Sequence, residues 1–150
     1  MTAGPSKPVR RRRVLASLLA GYLLVLSLIA FWPSPVDEGA SGMIHRVLGW
    51  LDERGMPLWA GYGLLEVSAN VVLFVPFGIL VAAFLPLRRA WHALPAGLFA
   101  SIFIEVGQNL FRPERFATVQ DVLANSLGAA VGTVIVYALA YRHDDETERR

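Results

Sequence analysis

The sequence predicts an all-α integral membrane protein, four transmembrane helices in a small bundle with a short amphipathic segment in the first outer loop. Three observations predict it. Apolar runs at 14–32, 62–86, 90–111 and 119–141 are each long enough to cross about 30 Å of hydrocarbon as a helix. Of the 150 residues, 55% are hydrophobic and 17% charged, and mean hydropathy is +0.47. Soluble domains run about 45–50% apolar and about 25% charged. Lysines and arginines fall mainly in alternate connections, as a fixed membrane orientation requires. A soluble helical domain with buried core helices does not accommodate four such runs in one chain of this length.

The length fits one domain. Residues 1–13, MTAGPSKPVRRRR, read as a disordered basic cytoplasmic tail, residues 14–141 as the membrane domain and residues 142–150 as a polar cytoplasmic tail. The first span, VLASLLAGYLLVLSLIAFW, carries no charge. A basic segment before an apolar run also fits a signal peptide. This run exceeds a usual signal core, and no small-x-small cleavage site follows in WPSPVDEGASG, so it reads as an uncleaved helix.

Residues 33–61 form the longest connection. Pro33 and Pro35 end the first helix. Ile44, Val47, Leu48 and Leu51 then fall at i, i+3, i+4 and i+7, the spacing of a short amphipathic helix lying on the membrane surface. A plain loop is the competing reading. Trp50 and Trp59 suit a membrane–water boundary. The second span carries Pro76 near its middle, where the missing N–H is expected to kink the helix, with Gly78 beside it. Leu87, Arg88 and Arg89 make a tight basic turn into the third span, which has Pro95 in its first turns. A polar loop at 112–118 leads to the fourth span.

Several chemistries are excluded. The chain has no cysteine, which rules out disulfides, thiolate metal sites, cysteine nucleophiles and iron–sulfur clusters. His45, His92 and His143 lie in different regions, so they do not form a metal site. No zinc-protease motif, serine-hydrolase order or glycine-rich phosphate loop is present. Glu66, Glu105 and Asp121 follow no metal-ligand spacing rule. No catalytic residue, metal or cofactor is assigned. Basic residues cluster at the chain ends with no aromatic interleaving, so a nucleic-acid partner is not expected.

Orientation follows from the short connections. Lys7 and Arg10 to Arg13, Arg88 and Arg89, and Arg142, Arg149 and Arg150 fall on one side of a four-span plan. That side is read as cytoplasmic, giving a multi-pass protein of the cell membrane with both termini inside. Arg112 and Arg115 run against this bias, which marks them for a specific role or partner. Under this plan Glu66 and Asn70, then Glu105, Gln108 and Asn109, then Asp121 and Asn125 all lie toward the outer side. Ionisable and amide groups are costly in hydrocarbon and mark functional sites. Three spans bring theirs to one depth, and on shared faces. Glu66 and Asn70 are i, i+4; Glu105, Gln108, Asn109 and Arg112 form one stripe; Asp121 and Asn125 are i, i+4. The same face of the fourth span continues as Gly128 and Gly132, a GxxxG that lets another helix approach closely.

Three readings follow. The cluster is an outer polar pocket with Arg112 and Arg115 at its mouth, suited to a lipid headgroup, a lipid-linked envelope precursor or a peptide such as a glycopeptide, since arginine grips phosphate and carboxylate in a fork. Alternatively it is a small intramembrane enzyme using Glu105 or Asp121 on a lipid-linked substrate. Otherwise the polar groups are helix-packing glue, within an oligomer in which a second copy is the partner.

NVVLFVPFG at 70–78, ExxQ at 105–108, an arginine-bearing short loop and DVLANSLGAAVG at 121–132 together resemble the VanZ-like membrane protein family. The resemblance covers about residues 32–140. It implies an envelope-associated membrane protein and lands on Asn70, Pro76, Gly78, Glu105, Gln108, Arg112, Asp121, Asn125, Gly128 and Gly132, without making any of them catalytic. The family takes its name from a member associated with teicoplanin resistance, so resistance enters as a family association only.

Overall fold

The computed structural model describes residues 7–31, 41–111 and 118–148. The proline stop at 33–35 and the loop arginines Arg112 and Arg115 lie outside these residues. The described elements are α1 (Lys7–Phe31), α2 (Ser41–Asp52), α3 (Leu58–Phe84), a 3-10 segment (Leu87–His92), α4 (Ala93–Phe111) and α5 (Val119–Glu148). Four stretches are long and apolar enough to span a membrane: Val9–Phe31, Ala60–Phe84, Leu87–Leu110 and Val119–Arg142. The protein is an all-helical, multi-pass membrane protein.

One boundary differs from expectation. The helix of the first span starts at Lys7, inside the segment read as a disordered tail, so Arg10 to Arg13 continue it. Arginine and lysine are good helix formers, and the apolar turns that follow supply the costly nucleus. At the other terminus α5 runs past 141 to Glu148, so the polar tail is the end of a helix, one of the two forms its composition allowed.

The amphipathic spacing in the first long connection forms a helix, α2. Leu48 is buried on its inner face, against α3 at Gly61. Its outer face exposes Trp50, over whose ring the Arg54 guanidinium sits 3.7 Å from the centroid. Gly55, at φ +84°, takes the left-handed position that ends α2, with the Met56 amide bonding back to the Leu51 carbonyl at 3.1 Å.

α3 is the centre of the molecule. It packs most extensively on α5, and also on α1, α2, α4 and the 3-10 segment. Leu26, Phe74, Phe77 and Ala129 form the main core, where α1, α3 and α5 meet. A second cluster of Ala82, Ala90 and Ala93 lies at the end with the 3-10 segment, against Val136 and Tyr137. The Tyr137 hydroxyl donates to the Leu87 carbonyl at 3.0 Å, tying α5 to the tight basic turn. The Tyr22 hydroxyl donates to the Leu73 carbonyl, tying α1 to α3.

The α3–α5 seam is a backbone contact. A Cβ built at Gly128 would lie 2.2 Å from the Val71 carbonyl oxygen, and one at Gly132 2.2 Å from that of Val75. From the other side, a Cβ at Gly78 would lie 2.2 Å from the Ala129 carbonyl oxygen. Glycine hydrogens therefore stand against carbonyl oxygens in both directions, the close approach that membrane helices use in place of hydrophobic burial. The GxxxG face thus packs within the chain. α3 runs unbroken through Pro76.

The outer surfaces of these helices are apolar. Val72, Phe99, Phe103, Leu110 and Val134 are among the large side chains left exposed. In water so much contiguous apolar surface would drive association. In a bilayer it is the lipid-facing wall.

Candidate functional site

Polar side chains from three helices meet near one end of the bundle, where α1 and α4 finish and α5 begins. The local sequence explains each position. Thr118 precedes α5, and its hydroxyl oxygen accepts from the Asp121 amide at 3.1 Å. The same hydroxyl donates to Asp121 Oδ2 at 2.6 Å. This reciprocal pair satisfies an amide that the first turn of a helix leaves without a partner. The Asp121 carboxylate also sits at the positive end of the helix dipole. Its Oδ1 accepts from Asn70 Nδ2 at 2.5 Å, so the cap of α5 is bolted to α3.

One turn further into α5, Asn125 is 4% exposed and its Nδ2 donates to Ser101 Oγ of α4 at 2.9 Å. Ser101 is fully buried. Glu105 lies one turn along α4 from Ser101 and is also buried. Gln108, nearly one turn further, donates from Nε2 to the Ala30 carbonyl at 2.9 Å. That carbonyl is among the last four of α1, which have no partner within the helix. Gln108 therefore caps α1. Beside it Gly107 meets the Phe31 ring, where a Cβ would lie 2.7 Å from the ring tip.

The structure thus brings Asn70, Gln108, Asp121 and Asn125 into hydrogen bonds between elements, with Glu105 buried on the same stripe. Glu66 is exposed on α3 and joins none of these bonds. Asn109 is also exposed, on the margin of the stripe. Among the described residues no three histidine, aspartate or glutamate side chains converge on a metal-sized site.

Two buried atoms are left over: among the described residues neither Asn125 Oδ1 nor the hydroxyl of the adjacent Ser126 has a hydrogen-bond partner. A buried polar atom without a partner costs about 1–3 kcal/mol.

Two residues of this network are missing from the sequence reading. Ser101 extends the Glu105 stripe by one turn and was readable from that spacing. Thr118 and Asp121 have the spacing of a capping box, an equally readable signal. The carbonyl of Ala30 had none, because only tertiary packing brings α1 to Gln108.

The family model described as VanZ/LLP1 matches residues 19–140. The chain belongs to the VanZ/LLP1 family. The match runs through all four spans, from the lower part of α1 to α5, and therefore includes every residue of the polar network. Arg10 to Arg13, at the start of α1, lie outside the VanZ/LLP1 match. No curated protein and no solved structure matches the chain.

Proposed function

We propose that this protein is a non-catalytic component of the cell envelope. In this reading both termini are cytoplasmic, and the end of the bundle carrying Asn70, Glu105, Asp121 and Asn125 faces outward. There it engages the polar head of a lipid, a lipid-linked wall precursor or a glycopeptide-like ligand. The arginine bias of the short connections supports the orientation. Membership of the VanZ/LLP1 family supports the envelope setting.

The observation that carries the binding reading is the buried Asn125 Oδ1, which has no hydrogen-bond partner among the described residues while its Nδ2 is held by Ser101. A ligand donating to it would recover the free energy the free protein forgoes. The other amides and Asp121 are already engaged with helices, so their role is to hold the site open at a fixed spacing. Asp121, bonded to both Asn70 and Thr118, is poorly placed to act as a base.

The test is mass spectrometry of lipids and precursors that co-purify with the protein. Wild type is expected to carry a polar lipid or precursor that Asn125→Ala loses by about tenfold, one hydrogen bond to a buried amide being worth about 1.4 kcal/mol. Glu105→Gln keeps shape and hydrogen bonding but removes the titratable group, so it is expected to retain the ligand within about threefold. Substrate accumulating on Glu105→Gln while wild type releases a converted product would establish the enzyme reading instead. A less stable Asn125→Ala with unchanged lipid content would leave the network as packing glue around a trapped water.

A further inference from the structure

A second feature lies at the opposite end of the bundle. A cavity of 480 Å³ opens where the start of α1 meets the end of α3, lined by Arg11, Arg12, Leu15, Phe84, Pro86 and Arg89 among others. Arg11, Arg12 and Arg89 line it, and no aspartate or glutamate is among its lining residues. Arg12 is steadied by the Phe84 ring, whose centroid is 5.3 Å from the guanidinium carbon.

A second, more open cavity of 460 Å³ lies further along the α1–α3 seam. Its walls are Ser17, Leu18, Gly21, Tyr22, Val25 and Leu80. Charge is confined to the first cavity and apolar surface dominates the second. Arg11 and Gly21 are about 15 Å apart along the axis of α1. That separation matches a phosphate at the membrane surface and a chain descending into the hydrocarbon. At Gly21 a Cβ would meet nothing within 4 Å, so the groove is open there.

We propose that this seam binds one anionic phospholipid, its phosphate held by Arg11, Arg12 and Arg89 and one acyl chain laid along Leu18, Gly21 and Leu80. Arginine suits the phosphate because its planar fork donates two parallel hydrogen bonds to paired oxygens. The apolar track distinguishes a lipid from a free anion. A basic pocket between spans at the lysine- and arginine-rich side is a setting in which anionic headgroups are recognised. The site lies at the other end from the Asn125 network and stands independently of the proposed function.

Native mass spectrometry of the full-length protein, with phosphatidylglycerol and phosphatidylcholine of identical chains, tests the proposal. Phosphatidylglycerol is expected to be retained about tenfold better. The triple variant Arg11→Gln, Arg12→Gln, Arg89→Gln should abolish that preference, the fork donors to the phosphate being gone. Arg89→Gln alone should weaken the preference, whereas Arg88→Gln, which removes the same single charge next door without lining the cavity, should keep it. Gly21→Leu, whose Cβ meets nothing within 4 Å, puts bulk into the groove and should weaken phosphatidylglycerol retention about fivefold with all charges intact. Equal retention of both lipids overturns the proposal. So does loss of the preference in Arg88→Gln, which would mean a diffuse charge effect. Displacement of the lipid by millimolar inorganic phosphate, with Gly21→Leu unchanged, would make this a free-anion site and overturn it too.

Discussion

Gly132→Ala is expected to destabilise the protein by about 2–3 kcal/mol, near the upper end of what overpacking one methylene costs. The added methyl carbon would fall 2.2 Å from the Val75 carbonyl oxygen and 2.7 Å from the Ile79 amide nitrogen. Both obstacles are backbone atoms, so no side chain can rotate out of the way. α3 and α5 must separate, and with them the contact around which the bundle is arranged. Gly128→Ala meets the Val71 carbonyl at 2.2 Å and should cost a similar amount. Gly63→Ala is the matched control: a Cβ there meets nothing within 4 Å, and alanine is the better helix former by about 1 kcal/mol. Denaturation in mixed micelles, monitored by helicity, measures all three. Equal stability of Gly132→Ala and wild type would mean that α3 and α5 do not touch through their backbones.

Asp121→Ala is expected to cost about 2–3 kcal/mol and to loosen the polar end selectively. The substitution removes the acceptor for Asn70 and for the Thr118 hydroxyl together. A hydrogen bond to a charged group contributes about 1.5–3 kcal/mol, while the Thr118 cap on the Asp121 amide survives the substitution. Polar pairs between membrane helices average less, about 0.6 kcal/mol, because the separated helices find other partners. That smaller figure sets the expectation for the Asn70–Asp121 pair in a double-mutant cycle with Asn70→Ala. Asp121→Asn retains one acceptor oxygen and should recover about half of the loss. The same denaturation measurement checks this series, and a full loss in Asp121→Asn would show that charge, not hydrogen-bond geometry, holds α5 to α3.

The four spans were legible because hydropathy over some twenty residues depends on composition alone. The common depth of Asn70, Gln108, Asp121 and Asn125 was legible from helical spacing and alternating span direction. Their partners were not. Which amide meets which carbonyl depends on helix rotation, and rotation is set by close contacts such as Gly128 on Val71. Glu66 shows the limit: it shares a four-residue spacing with Asn70, yet Asn70 is partly buried and Glu66 is exposed. A four-residue step advances about 400° around a helix, and at the edge of a contact face that offset separates a buried residue from an exposed one. The glycine motif was recognisable, but not whether its partner was α3 or a second chain. The helical start of α1 was hidden because arginines read as a solvated tail when counted without the apolar turns that extend through them.

In the proposed orientation the Asn125 network faces the outside of the cell and the arginine-lined cavity faces the inside. The chain has no cysteine, so single cysteines report without background. Gln120→Cys, exposed at the start of α5, should react with a membrane-impermeant maleimide in intact cells. Arg88→Cys, exposed at the opposite end, should react only after permeabilisation. Labelling of Arg88→Cys in intact cells, with Gln120→Cys protected until the membrane is opened, would reverse the orientation and contradict the outward-facing site.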